Sequence, residues 1–235
     1  MLTKTRSSRG DKTRQALLTA GRERFQEQGF DKATTGDIAR RAGVAEGTLF
    51  LHFKSKTGLL LQIMETYYAG LIDDLRDEAG RSGAGGDKLR ALTRYWLQRV
   101  RQDWRLMRVF GRHGRFSDDP AVASAFVDMN RQVTRFFGAI FKDLKASGVI
   151  RADLPTYLLR DILFGCTEHV LLGIHITGKE RDLDRAADAL CDLLLAPPTR
   201  STAAVSLESL DAKLDRLLQA ADLPTSQTPT NEAEP

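Results

Sequence analysis

The sequence predicts an all-α fold. Apolar residues recur at three- and four-residue intervals through most of the 235-residue chain, which is the spacing of one face of an α-helix. No segment alternates apolar and polar residues strictly, as a half-buried strand would. With 19 glycines and 7 prolines, few residues interrupt the periodic segments, so the composition allows long helices.

Residues 34–56 predict a helix-turn-helix, and the rest of the chain is organised around it. Thr34 is a suitable N-cap for a first short helix, because its hydroxyl can accept a hydrogen bond from a free backbone N–H. Gly43 stands where the chain would leave that helix in the left-handed conformation. A second short helix over 45–52 would point Leu49 inward, and the second helix of such a unit enters the major groove of DNA.

The outward face of this second helix is unusual for a solvated surface. Phe50 and Leu51 stand side by side on it, and Glu46 is its only formal charge. A small apolar face suits contact with thymine methyl groups, and Thr48 can bond base edges or phosphate. The alternative is that Phe50 and Leu51 belong to the core.

A helix over 11–28 precedes the helix-turn-helix and is expected to clamp it into a three-helix head. Gly29 should end this helix, and Phe30 can fold back onto its last turn. Residues 1–9 carry several basic side chains that could enter a neighbouring minor groove as an arm. A solvated basic tail is the alternative.

Further helices are expected after the head. The first extends over 56–79 and would be longer than about 30 Å, so it belongs to the head at one end and to the body at the other. The glycine-rich segment 80–86 is the clearest break in the chain. The remaining body helices are predicted over 87–103, 104–112, 120–146, 156–176 and 182–195.

The end of the chain predicts a small add-on to this layout. Residues 197–206 form a linker rich in Pro, Ser and Thr, and a disordered tail closes the chain. Between them, 207–221 predicts a short amphipathic helix that would dock on its own body or on a partner. We therefore expect three units, over 1–55, 56–196 and 197–235.

The run IARRAGVAEGTLFLHFKSKTGLL resembles the DNA-binding signature of the tetracycline-repressor (TetR) family of bacterial regulators. The match is long and ungapped and covers about residues 10–60. The resemblance implies an N-terminal three-helix helix-turn-helix DNA-binding domain, joined by a long helix to a helical effector-binding and dimerisation domain. With the lysines that follow the second helix, the candidate contacts to double-stranded operator DNA are Thr34, Thr35, Ala45, Glu46, Gly47, Thr48, Phe50, Leu51, His52, Lys54 and Lys56.

Three residues depart from the pattern of the family. Ala45 stands where Ser or Asn often caps the recognition helix, and Phe50 replaces the common Tyr. Glu46 replaces a frequent Lys or polar residue and would repel phosphate, although it can accept from a cytosine amino group. These changes bear on the operator sequence and the affinity rather than on the fold.

The last two body helices, 156–176 and 182–195, are apolar on more than one face. Such helices must be buried on several sides, so we expect them to form a homodimer interface, which the family resemblance also implies. Burial within the core of one chain is the alternative. A dimer would place two recognition helices on successive major-groove faces of DNA.

Scattered aromatic residues and methionines of the body can line an apolar cavity for a small-molecule effector, as the family typically has. Packing in the core is the alternative for most of them. The expected effector is apolar or aromatic, with acyl compounds included, and its binding would release a repressor from DNA. The candidate effector-binding residues are Trp104, Met107, Phe110, Phe126, Met129, Phe137, Phe164, Glu168 and His169, with His175 beside them.

The charge distribution favours DNA binding by the head. The formal net charge is +4, and residues 1–56 carry twelve Lys and Arg against six Asp and Glu, so the remaining chain is mildly acidic. No apolar run approaches the ~18 residues needed to cross a bilayer, and the N-terminus lacks the apolar stretch of a secretory signal. Cys166 and Cys191 fit a reducing cytosol as buried, small apolar residues, so a cytoplasmic protein without membrane association is expected.

No sequence pattern supports catalysis. The chain lacks Gly-x-Ser-x-Gly, His-Glu-x-x-His and Cys-x-x-Cys motifs, and its histidines do not share a metal-ligand spacing. We therefore expect no enzymatic activity, no cofactor and no metal. The rival function is a helical protein-interaction adaptor that retains the helix-turn-helix as a scaffold.

Overall fold

Capping residues and glycines set the ends of most helices. The computed structural model describes residues 9–150 and 153–195, and those residues contain no strand. The all-α prediction is therefore confirmed for this part of the chain. Its helices are α1 (Arg9–Lys32), α2 (Thr35–Arg41), α3 (Glu46–Phe53), α4 (Lys56–Arg81), α5 (Gly85–Gln102), α6 (Trp104–Phe110), a π-helical turn (Gly111–Arg115), α7 (Pro120–Ala146), α8 (Thr156–Thr177) and α9 (Leu183–Leu194).

Some predicted features lie outside the described residues. They are most of the N-terminal arm, the linker over 197–206, the amphipathic helix over 207–221 and the tail. Their predicted roles stay predictions.

The predicted signals at Thr34 and Gly43 are observed, whereas Gly29 interrupts α1 instead of ending it. Thr34 Oγ1 accepts a hydrogen bond at 3.1 Å from a backbone N–H in the first turn of α2, and Gly43 after α2 has a φ of 72°. Helix α1 is interrupted by Gly29, whose φ of 81° glycine adopts without a Cβ clash. Phe30 then folds back, and its ring centroid lies 5.3 Å from that of Phe25.

Helix α4 belongs to both the head and the body, as its predicted length indicates. Leu59 and Ile63, in its first half, pack against Gly21 of α1. A continuous hydrophobic cluster then connects Leu17 of α1, through α4, with Leu163 of α8. Because the two parts share this core, a tilt of α4 would move both of them.

The predicted glycine-rich loop is shorter than expected. Only residues 82–84 separate α4 from α5, because α5 begins at Gly85. Close packing explains this early start: a Cβ at Gly86 would lie 3.1 Å from Leu195 Cδ1. The absent side chain therefore lets the chain after α9 approach the first turn of α5.

The predicted helix over 104–112 also ends differently. Helix α6 stops at Phe110 and widens into the π-helical turn, in which Phe116 N donates to Gly111 O at 3.1 Å. A Cβ at Gly114 would lie 2.7 Å from the ring of Phe126 and 2.8 Å from Met64 Cε. Close contact with α4 and α7 thus favours the wider turn, and π-turns are frequent at functional sites.

A ladder of polar pairs joins α5 to α9 and the loop before it. The residues follow each other at three- or four-residue steps that run in opposite directions, so the ladder fixes an antiparallel register. Exposed pairs of this kind add little to stability, and buried apolar contacts hold the helices together. The pairs are Arg90 with Asp192, Arg94 with Asp188, Gln98 with Asp184 and Arg101 with Glu180.

Gly58, in the first turn of α4, allows a close approach of two backbone segments. A Cβ there would lie 2.1 Å from the carbonyl oxygen of Phe53. The substitution Gly58→Ala is therefore expected to lower the free energy of unfolding by about 1–3 kcal/mol, because the backbone must shift to relieve the overlap. Thermal or denaturant unfolding measures this loss.

Gly70, on the exposed side of the same helix, is the matched control. A Cβ there meets nothing within 4 Å, so Gly70→Ala is expected to raise stability by about 0.5–1 kcal/mol through helix propensity. Equal effects of the two substitutions would contradict the close contact at Gly58.

Candidate DNA-binding face and ligand cavity

Helix α3 presents an apolar outward face. Leu49 and Phe53 are buried in the head, whereas Phe50 is 45% exposed and Leu51 is 81% exposed. The alternative in which Phe50 and Leu51 are core residues is therefore wrong. Thr48 is half-buried beside them. The outward surface of α3 is thus small, apolar and available for contact with thymine methyl groups and sugars.

Glu46 is held by α2 at the start of the recognition helix. Its carboxylate accepts a hydrogen bond from Thr35 Oγ1, which ties the first turns of α2 and α3 together. Ala45, the N-cap of α3, makes no side-chain capping bond. The Thr35–Glu46 contact therefore fixes the start of α3, where Ala45 supplies no capping side chain.

Lys56 has backbone partners inside the head. Its Nζ donates to the carbonyl oxygens of Phe30 at 2.9 Å and Ala33 at 3.1 Å, and it lies 4.4 Å from the centroid of the Phe30 ring. Lys56 thus closes the end of α1, a role that the sequence did not reveal. Its predicted phosphate contact stays a prediction, as do those of Thr34 and His52 and the predicted groove contact of Gly47.

Lys54 adopts a strained backbone conformation between α3 and α4. Its φ is 64°, and Ser55 N donates to the carbonyl oxygen of Phe53 at 2.7 Å across it. This is the tight three-residue turn that costs energy for any residue with a Cβ. The exposed ammonium of Lys54 follows the recognition helix, where a phosphate contact would use it.

Substitution of Lys54 by glycine tests its backbone strain through stability and its proposed DNA contact through the salt dependence of binding. Lys54→Gly is expected to raise the free energy of unfolding by about 0.5–1 kcal/mol, because glycine tolerates a positive φ. It should also reduce the slope of log affinity against log salt concentration by about one, because one phosphate contact is lost. The control for the salt slope is Lys142→Gln, which removes one positive charge from the exposed surface of α7 on the body. It should leave the slope unchanged. Glutamine is used there because a glycine inside a helix would itself lower stability.

A cavity of about 1200 Å³ lies beside α6 and the π-helical turn. Its walls come from the end of α1, α4, α5, the segment 104–119, α7 and α8. The predicted effector-binding residues that line it are Trp104, Met107, Phe110, Phe126, Phe164 and Glu168.

Four predicted effector residues lie elsewhere, and we remove them from the candidate site. Phe137 and Met129 of α7 are buried in the hydrophobic core and absent from the cavity wall. The ring of Phe137 packs against Trp96 and Phe164 instead. His169 and His175 are exposed on α8 and do not line the cavity either.

The sequence analysis missed several parts of the wall. Tyr68 and Trp96 line the cavity from α4 and α5, and residues 25–32 line it from α1. Burial raises the pKa of Tyr68 to about 12, so its phenol stays neutral at neutral pH. Burial also lowers the pKa of His113, against the opposing influence of the Asp31 carboxylate.

Asp103, between α5 and α6, joins the head to the cavity wall. Its side chain is 6% exposed, and it accepts hydrogen bonds from Arg22 Nη2 at 2.7 Å and Gln26 Nε2 at 3.3 Å on α1. Arg99 of α5 also donates to this carboxylate. Trp104, the next residue, lines the cavity. A shift of the wall can therefore reach α1 through this carboxylate.

Helices α8 and α9 expose apolar side chains in the single chain. Ile176 is 72% exposed and Leu193 is 77% exposed, and Leu158 is partly exposed. These are the helices predicted to form the dimer interface. Cys166 is also exposed on α8, contrary to the expectation of burial, whereas Cys191 of α9 is buried.

Residues 9–150 and 153–195 contain no group of three or more His, Cys, Asp or Glu that could hold a metal ion. None of their helices is long and apolar enough to cross a membrane.

Comparisons with known proteins match this architecture. The family model described as "Bacterial regulatory proteins, tetR family" matches residues 17–63. The chain is 21% identical over 180 residues to the fatty acid metabolism regulator protein of Bacillus subtilis, which covers 77% of this chain and 92% of that protein. It is 30% identical over 93 residues to the HTH-type transcriptional activator FasR of Mycolicibacterium smegmatis, which covers 40% of this chain and only 42% of that protein.

A solved structure shares the fold over most of the chain. The transcriptional regulator FadR from Bacillus subtilis, in complex with stearoyl-CoA, superposes with a TM-score of 0.68 at 19% identity. The superposition covers 77% of this chain and 97% of that one. At 19% identity this similarity shows the fold alone and does not identify a ligand for this chain.

Proposed function

The chain belongs to the tetR family of bacterial regulatory proteins, and from this membership we propose that it is a ligand-responsive transcriptional regulator that binds operator DNA as a homodimer. The observation that carries the proposal is the exposed apolar face of α3, with Phe50 and Leu51 outward on a basic three-helix head. Such a protein works in the cytoplasm and has no catalytic step.

The homodimer uses α8 and α9 of each copy. Their exposed Ile176 and Leu193 are costly in water and would be covered by the same surface of a second chain. Two heads held by one interface would reach successive major-groove faces, which a single short recognition helix cannot do.

The cavity beside α6 holds the effector. Aromatic side chains such as Tyr68, Trp96 and Trp104 line it, which favours an apolar, aromatic or acyl ligand. The Bacillus subtilis FadR structure contains stearoyl-CoA, and this supports the same class of ligand here. The volume of about 1200 Å³ exceeds the roughly 300–1000 Å³ of usual small-ligand sites, which also favours a long ligand.

Ligand binding would change the spacing of the two heads. Tyr68 of α4 lines the cavity, and α4 continues into the core of the head. A ligand that prefers a tilted α4 would shift the dimer towards a state whose heads no longer match the operator, and the regulator would act as a repressor released by its effector.

Fluorescence anisotropy with DNA from upstream of the protein's own gene tests this function. We expect specific binding of the dimer, and weaker binding when stearoyl-CoA is added. Binding that ignores sequence and falls steeply with salt would instead support the protein-interaction adaptor. Equal operator affinity with and without every apolar ligand that enters the cavity would contradict the release mechanism.

A further inference from the structure

Four arginines form one side of the cavity. Arg105 and Arg108 come from α6, and Arg112 and Arg115 come from the π-helical turn that follows it. We refer to these four residues as the arginine strip. Aromatic side chains such as Trp104, Phe110 and Phe126 line the same cavity, so it is amphipathic rather than uniformly apolar.

Two members of the arginine strip make only long ion pairs. Arg112 Nη2 lies 3.7 Å from Asp31 Oδ2, and Arg115 Nη1 lies 3.7 Å from Glu168 Oε2. Both distances exceed that of a good hydrogen bond, and both carboxylates are exposed. Such contacts are weak and can be replaced by a better anionic partner.

The other two members have no carboxylate partner among the described residues. Arg108 Nη1 lies 2.7 Å from the ring Nε2 of His175, which is an uncharged acceptor at best. Arg105 forms no ion pair with any residue of 9–150 or 153–195. A guanidinium group that has no carboxylate partner and lies at a cavity wall is suited to bidentate binding of an anion.

Most remaining carboxylates of the wall are committed elsewhere. Glu27 pairs with Arg24 and Arg41 on the head. Asp119 caps α7 by accepting from a backbone N–H at 2.9 Å. Asp118 is the one further carboxylate of the cavity wall for which we describe no such partner. The positive charges of the arginine strip therefore outnumber the negative charges available to neutralise them.

We propose that the arginine strip binds the phosphate groups of an amphipathic ligand whose acyl tail lies among the aromatic residues of the cavity. The proposal rests on the proposed function of this cavity as the effector site, and it adds the chemical class of the ligand: an acyl ester or thioester with a phosphorylated head. Arginine matches phosphate through parallel N–H···O bonds, which an uncharged ester cannot accept as strongly.

The same site links ligand binding to the head. Asp31 stands at the end of α1, and its carboxylate faces Arg112 and His113 of the body at 3.7 Å. A phosphate group bound by Arg112 takes the place of Asp31. The end of α1 then loses one polar contact with the π-helical turn, while the ring contact of Phe30 with His113 at 4.5 Å remains. The position of α1 relative to the body can then shift.

Intrinsic fluorescence can report ligand binding, because both tryptophans of the chain, Trp96 and Trp104, line the cavity. The full-length protein is titrated with stearoyl-CoA, with 1-stearoyl lysophosphatidate and with methyl stearate, which shares the tail but carries no charge. The test variant is the double substitution Arg105→Gln and Arg112→Gln. The control is Arg76→Gln with Arg131→Gln, because these arginines pair with aspartates on exposed helix faces.

We expect the wild type to bind stearoyl-CoA at least tenfold more tightly than methyl stearate. The arginine-strip variant should lose this preference while its affinity for methyl stearate changes less than twofold. Equal tight binding of lysophosphatidate would show that any phosphorylated acyl head suffices, whereas selective binding of stearoyl-CoA would identify the nucleotide-bearing head; either supports the proposal.

A preference for stearoyl-CoA that survives in the arginine-strip variant would overturn the proposal, and so would equal affinity for all three probes. Neither result would disturb operator binding, which the anisotropy assay measures without ligand. Asp31→Asn supplies an independent readout: it should raise the affinity for stearoyl-CoA about two- to fivefold, because the competing carboxylate is gone. An unchanged or lower affinity would exclude the competition between Asp31 and phosphate.

Discussion

Replacing Asp103 by alanine is expected to lower the free energy of unfolding by about 3 kcal/mol. The carboxylate is almost fully buried and accepts from Arg22 and Gln26 of α1 and from Arg99 of α5. Its removal leaves two guanidinium groups without their shared anion, and both are partly withdrawn from water. Denaturant unfolding of the purified protein at constant concentration measures the loss.

Asp73 provides the comparison for this substitution. It pairs with Arg76 on the exposed surface of α4 and touches neither the cavity nor the head, so Asp73→Ala should change stability by less than about 0.5 kcal/mol. Asp103→Asn keeps the shape and some hydrogen bonds but removes the charge, and an intermediate loss is expected. If Asp103→Ala is no more destabilising than Asp73→Ala, the buried junction between α1 and the cavity wall does not exist in solution.

This junction also defines what the sequence can and cannot predict. Asp103 stands between two periodic segments and looks like an ordinary helix-boundary residue. Its partners on α1 are 77 and 81 residues away, so no local pattern identifies it. By contrast, α7 was predicted at its observed bounds, because a proline at its first turn and a glycine after its last are local signals.

The π-helical turn shows the same limit. The sequence predicted one continuous helix to residue 112, since nothing in the local pattern indicates an extra residue per turn. The close contact of Gly114 with Met64 and Phe126 comes from two distant helices, and it decides the geometry. The spacing of the arginine strip was visible in the sequence, but its position on a cavity wall depends on this turn.

The candidate DNA-binding face was predicted in a similar, partial way. Periodicity placed Leu49 inward correctly, because it lies on the buried stripe of α3. The sequence left open whether Phe50 and Leu51 lie in the core or on the surface, because a short apolar run is compatible with either position. The partners of Glu46 and Lys56 lie on α2 and α1, and they became evident only from the fold.

Replacing Leu51 by glutamate is expected to weaken operator binding by about 100-fold or more, because a carboxylate on the outward face of α3 would meet the phosphates and base edges of the major groove. Leu51 is 81% exposed, so the substitution should change the free energy of unfolding by less than about 0.5 kcal/mol. Anisotropy with operator DNA measures the affinity, and thermal unfolding checks that the head stays folded.

Val127 of α7 allows a matched control, because it is an exposed apolar residue of the body that does not line the cavity. Val127→Glu introduces the same charge on the same chain but should leave operator affinity within about twofold, since the residue lies on the body rather than on the head. Equal weakening by both substitutions would mean that added negative charge alone weakens binding. Retention of wild-type affinity by Leu51→Glu, with a folded head, would exclude α3 as the helix that enters the groove.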